Sequence, residues 1–78
     1  MILFRIKELI SKKEKEENRK ITLNEVSEKT GVNRTSLSKM QNPHMKHSTT
    51  TQAIDALCIY FNCKVEDVMV HVPDNEIK

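Results

Sequence analysis

The side chains able to do chemistry in this 78-residue chain fall into two small sets. His44, His47, Cys58 and Cys63 carry donor atoms for a metal. Structural zinc sites favour tight cysteine pairs, and Cys58 lies on an apolar helical stripe, where a free cysteine acts as a small hydrophobe. The cysteines therefore read as core and the histidines as polar loop residues, so no metal is expected. No serine or cysteine has a histidine and a carboxylate at a recognisable catalytic spacing, and there is no glycine-rich phosphate loop. Neither enzymatic activity nor a cofactor is expected. The second set is the polar stretch of Arg34, Thr35, Ser36, Ser38, Lys39 and Gln41, a compact group of hydroxyl, amide and cationic donors. Arginine and lysine donate to guanine acceptors, while serine, threonine and asparagine reach bases or phosphates.

The charge distribution points the same way. The chain holds 13 basic and 11 acidic residues, for a net +2. Residues 29–54 contain Lys29, Arg34, Lys39 and Lys46 and no acid, whereas residues 55–78 carry two bases and five acids. A long carboxylate-free stretch in so charged a chain is a candidate face for a polyanion. The mixed-sign run at 12–20 reads instead as a solvated helix end and polar loop, with Glu8 and Lys12, and Glu16 and Lys20, spaced for pairs across one turn. With 37% apolar and 31% charged residues, the composition is too apolar for disorder and too polar for a membrane span. The opening apolar run, residues 1–4, is cut by Arg5 and Lys7, too early for a secretion signal or a bilayer helix. The cytoplasm is the expected location, with no membrane contact, and two cysteines are too few for a disulfide framework. The length suits one domain over residues 1–78, ending in a frayed tail at 74–78.

The elements that must hold the donor set are legible as short helices. Ile6, Leu9 and Ile10 share one face of a first helix that fades into the charge run, with Leu3 a turn earlier. Thr22 and Glu25 form a capping-box pattern, flanked by Ile21 and Val26 as its hydrophobic staple. Leu23 and Val26 face inward, Lys29 suits the carbonyl end, and Gly31 suits the left-handed position that stops the helix. A helix of about two turns cannot persist alone, so it must pack. Asn33 caps the next helix, Leu37 and Met40 anchor it, and Asn42 and Pro43 end it. Thr49 or Thr50 caps a fourth helix with Ile54, Leu57, Cys58 and Phe61 at helical spacing, ended by Asn62 and Cys63. A short fifth helix carries Val65, Val68 and Met69, with Glu66 and Asp67 in its first turn, before Val72 and Pro73. Nothing reads as a core strand. The expected fold is all-α, five short helices around one core.

Two short helices joined by a glycine-bearing turn, at about residues 22–41, describe a helix-turn-helix. Its second helix suits the major groove, about 12 Å wide, and its first would cross the backbone with Thr22 toward phosphate. The chain resembles the phage-repressor (Cro/Xre-type) helix-turn-helix family. The match rests on Thr22-Leu23-Asn24-Glu25-Val26-Ser27-Glu28-Lys29-Thr30-Gly31-Val32, on Asn33-Arg34-Thr35-Ser36-Leu37-Ser38-Lys39-Met40, and on Cys63-Lys64-Val65-Glu66-Asp67-Val68. The resemblance implies a lambda-repressor-like domain that binds operator DNA as a homodimer on paired half-sites. By position it implies that Asn33, Arg34, Thr35, Ser38 and Lys39 face base edges or nearby phosphates, and that Thr22, Asn42, Lys46 and His47 contact the backbone. Two positions depart from the family pattern. Leu23 replaces the glutamine common after the cap, and Asn42–Pro43 replaces the glycine common after the recognition helix; Lys46, His44 and His47 are the side chains available in their place.

Apolar residues at the two ends exceed what one small core needs. Met1, Ile2, Leu3 and Phe4 suit either packing between the first helix and the last turn or self-association, while Tyr60, Val70, Val72 and Ile77 favour self-association. No second domain for sensing a small ligand is visible. The reading from residues alone is a sequence-specific regulator of double-stranded DNA. Its rival is an antitoxin-like or accessory protein-interaction module with DNA binding secondary, which Leu23 and the apolar ends favour.

Overall fold

All five helices contribute to one core, Ile6, Leu9, Ile10, Val26, Leu37, Met40, Ile54, Leu57 and Val68, which Ile21 and Val32 complete from the segments before and after the second helix. The computed structural model describes residues 1–42 and 48–73. In chain order these form β1 (Ile2–Phe4), α1 (Ile6–Glu17), α2 (Leu23–Thr30), α3 (Arg34–Met40), α4 (Thr51–Phe61), α5 (Val65–Val68) and β2 (Met69–His71). The five helices fall where the periodicity puts them. Pro43, His44, Lys46, His47, the tail at 74–78 and Ile77 within it lie outside the described residues.

The ends of the helices follow the local chemistry. Thr22 caps α2 by accepting from the Glu25 N–H at 3.2 Å, and Thr50, not Thr49, caps α4 by accepting from the Ala53 N–H at 3.1 Å. The two termini that need a left-handed residue without glycine use asparagine, Asn18 after α1 and Asn62 after α4, the residue most tolerant of that region after glycine. α5 is fastened at its start by the Asp67 carboxylate, which accepts from the Lys64 N–H at 3.1 Å.

No core strand is expected, and the two short strands found contribute no buried residue; they join the ends of the described chain. β1 and β2 pair antiparallel, with Ile2 opposite His71, Leu3 opposite Val70 and Phe4 opposite Met69. The ladder extends beyond the strands: Arg5 N–H donates to the Val68 carbonyl at 2.7 Å, and Val72 N–H to that of Met1 at 2.8 Å. Three-residue strands offer no periodicity to read, and their pairing joins opposite ends of the chain. An isolated two-stranded ribbon is marginal, but this one continues directly into Ile6 of α1 and from Val68 of α5, both fully buried. Leu3 therefore belongs to β1, not to the face of α1, and Met69 begins β2 instead of ending α5.

Candidate nucleic-acid interface

The turn between α2 and α3 is stapled by its own polar atoms. The Thr30 hydroxyl donates to the Val26 carbonyl at 2.7 Å and accepts from the Val32 N–H at 3.1 Å. Between them Gly31 adopts φ +78°, and its N–H donates to the Ser27 carbonyl at 2.8 Å. Nothing crowds the glycine, so its requirement is conformational: a side chain there would be strained by the left-handed backbone. Val32 then drops into the core and Asn33 caps α3, its side-chain oxygen accepting from the Thr35 N–H at 2.7 Å.

α3 is amphipathic in the sense that matters for a groove. Leu37 and Met40 anchor it at 0% and 3% exposure, while Arg34, Thr35, Ser38 and Lys39 are all exposed. Asn33 is exposed too; with its oxygen engaged as the cap, its amide NH₂ retains the donors. Ser36 is half-buried, in keeping with its omission from the candidate contacts. Thr22 is exposed and keeps a hydroxyl proton to donate beyond its capping bond. Asn42 is exposed just past α3, its N–H donating to the Lys39 carbonyl at 3.1 Å. The structure thus brings Asn33, Arg34, Thr35, Ser38 and Lys39 to one short helix and places Thr22 at the start of the partner helix. Leu23, where a phosphate-binding glutamine is common in the resemblance, packs half-buried against the core.

Glu14, Glu17 and Glu25 are engaged away from α3. Among the described residues the ion pairs are Lys13–Glu17 at 2.6 Å, Arg19–Glu17 at 2.9 Å and Arg19–Glu25 at 2.6 Å, and neither Arg34 nor Lys39 belongs to them. Arg19 grips Glu25 with two nitrogens, at 2.7 and 2.6 Å, and the Tyr60 hydroxyl reaches the same carboxylate at 3.3 Å. The Lys13 ammonium stands 4.8 Å from the Tyr60 ring centroid, and Glu14 accepts from the Ile21 N–H at 2.8 Å. This network ties the end of α1, the first turn of α2 and α4 together. The run 12–20 is the largely exposed helix end and polar loop expected, but its spacing gave no sign of this network, because Arg19, Glu25 and Tyr60 are joined by tertiary packing. The network also explains why the capping box is only half made: the Glu25 carboxylate turns to Arg19. The helix end at Asn18 likewise removes Lys20 from the turn that would pair it with Glu16.

Hydrogen bonding to Arg19 holds the Glu25 carboxyl below the usual carboxylate range, against a smaller opposing effect of burial. Glu17 is lowered in the same way, first by Lys13. Burial, and then the adjacent Glu25 charge, push the Tyr60 phenol up. A carboxylate lowered in the folded state contributes stability that is complete above its unfolded value, about 4.3, and is lost as the pH falls through the folded value. Glu25→Gln should therefore flatten the drop in thermal midpoint between about pH 5 and pH 3. Circular dichroism melts of the two proteins across that window check it, and parallel curves would show that the pair contributes nothing.

Two further cations come near α3. Arg5 and Lys7 share a cleft of about 430 Å³ with Met40, Gln41 and Asn42, and Glu8 lines it as well. Their separation in sequence from the carboxylate-free stretch hid this neighbourhood. Among the described residues no cluster of three or more His, Cys, Asp or Glu side chains could hold a metal, and both cysteines are free thiols.

Residues 16–74 match the Cro/C1-type HTH DNA-binding domain family. The chain belongs to that family. The match spans most of the chain and includes both helices of the helix-turn-helix and the α4–β2 segment that packs behind them. The protein is accordingly a DNA-binding regulator built on a helix-turn-helix. No curated protein and no solved structure matches the chain. No helix among the described residues is long and apolar enough to cross a membrane.

Proposed function

We propose that this Cro/C1-type protein is a sequence-specific regulator of transcription that sets α3 into the major groove of double-stranded DNA, acting in the cytoplasm as a homodimer. One observation carries the reading: a helix anchored by Leu37 and Met40 turns Arg34, Thr35, Ser38 and Lys39 outward, from a stretch of chain without a single acid. In this reading Asn33, Arg34, Thr35, Ser38 and Lys39 contact base edges, and Thr22, Asn42, Lys46 and His47 contact phosphates. Residues 1–78 act as one domain, with no cofactor and no catalytic step. Dimerisation aligns two copies of α3 with successive major grooves. The exposed apolar side chains available for it include Ile2 and Val65, 47% and 51% exposed, which line one shallow cleft with Met69 and Val70. Tyr60, by contrast, is engaged with Glu25 and Lys13.

Phosphate and base contacts separate by their salt and sequence dependence. Lys46→Ala should weaken matched and unmatched duplexes alike and lower the slope of log affinity against log salt by about 1. Fluorescence anisotropy over a salt series reads both, and a loss confined to one sequence would instead make Lys46 a base reader. The exposed apolar surface at Ile2, Ile59 and Val65 favours a second reading, an interaction module whose chief partner is a protein. A mobility-shift assay at moderate salt with a promoter-proximal duplex decides between them. A shift at micromolar protein supports the regulator, and its absence supports the interaction module.

A further inference from the structure

The two cysteines take no part in the interface described above, and the end of α4 sets them side by side. The Cys63 N–H donates to the Cys58 carbonyl at 3.0 Å, the Asn62 N–H donates to the Ile59 carbonyl at 3.3 Å, and Asn62 between them has φ +53°. These bonds and that left-handed residue make a Schellman ending, whose outer hydrogen bond joins Cys58 to Cys63 and whose flanking side chains commonly touch. With the outer bond at 3.0 Å, standard backbone lengths keep the two Cα atoms below the limit of about 7 Å beyond which a disulfide cannot form. Both thiols are free and half-buried, and both line one open cleft with Asp55, Val65 and Met69. Small molecules in solution can therefore reach them.

We propose that Cys58 and Cys63 form a reversible dithiol that closes to an intrachain disulfide by exchange with a small-molecule disulfide. The thiolate of Cys58 attacks one sulfur of the small disulfide, forming a mixed disulfide and expelling one small thiolate. Cys63, after losing its proton to solvent, attacks the Cys58 sulfur and expels the second small thiolate. The two protein thiols are oxidised by two electrons, the small disulfide is reduced to two thiols, and the balance closes. Burial pushes the Cys63 thiol up, and Cys58 and Asp67 beside it act in the same direction. The same exchange balances with the two cysteines in either order, and their proximity suits the intramolecular second step. The closed bond would fasten the end of α4 to the turn that leads into α5 and β2, without requiring any change at α3.

The test uses the full chain and oxidised glutathione, followed by alkylation under native and denaturing conditions and intact mass measurement. The expected result is loss of both alkylatable thiols, a monomer mass lower by two hydrogens, and full return with dithiothreitol. Cys58→Ser and Cys63→Ser should each give a stable mixed disulfide with glutathione in place of the internal bond. Circular dichroism of both variants checks that the helices remain. Glutathione held on both cysteines of the wild type, two persistent free thiols, or disulfide-linked dimers as the product would each overturn the proposal. None of these readouts depends on DNA binding, so the outcome stands apart from the proposed function.

Discussion

Leu37→Ala should destabilise the helix-turn-helix as a unit with the rest of the domain. Leu37 is fully buried, on the inner side of a helix of only seven residues. A helix so short has no stability of its own and exists because its inner side chains are packed. Truncating a fully buried leucine costs about 2–5 kcal/mol, against a total of about 4–12 kcal/mol for a domain of this length. The variant should show an earlier urea midpoint with an unchanged slope, and DNA binding should fall in step with the folded fraction. A loss of unfolding free energy of less than about 1 kcal/mol would show that α3 is not held through Leu37. Met40, 3% exposed one turn later, should behave similarly.

Arg34→Ala should have the opposite signature, leaving the fold intact while weakening binding to the matched operator. Arg34 is exposed at the first position of α3 and forms no ion pair with another described residue. Its guanidinium is free to donate two parallel hydrogen bonds to a guanine edge, the commonest specific contact in the major groove. Loss of such a contact costs about 1–3 kcal/mol, or about 5- to 140-fold in affinity, and relaxes preference at one base pair. Titrations against the operator and a set of single-base variants measure both quantities. Equal binding by wild type and variant would remove Arg34 from the base contacts. A uniform loss across all sequences would reassign it to phosphate.

These two variants test the two sides of α3 separately. The inward and outward sides of α3 were legible because Leu37 and Met40 recur at helical spacing in an otherwise polar stretch. Capping was legible where one side chain meets the next turn, as at Thr22 and Asn33, and narrowed to Thr49 or Thr50 for α4. Glu25 shows the limit of that locality. Its capping pattern is present, yet its carboxylate is drawn to Arg19 because a bidentate guanidinium offers stronger, charge-assisted hydrogen bonds than a backbone amide. Leu23 is similar: at a position associated with phosphate binding, packing decides its use.

By itself the amino-acid order determined the five helices, the caps at Thr22 and Asn33, the glycine turn and the side chains that α3 leaves in water. Each of those features depends on contacts within a turn or two, where spacing and residue type are sufficient. Only the tertiary structure decided that the two ends of the chain pair as strands, that Arg19, Glu25 and Tyr60 lock α1 and α4 to the first helix of the motif, and that Arg5 comes alongside Asn42. Those juxtapositions arise when a common core is closed, and their energies come from surfaces that no single segment possesses.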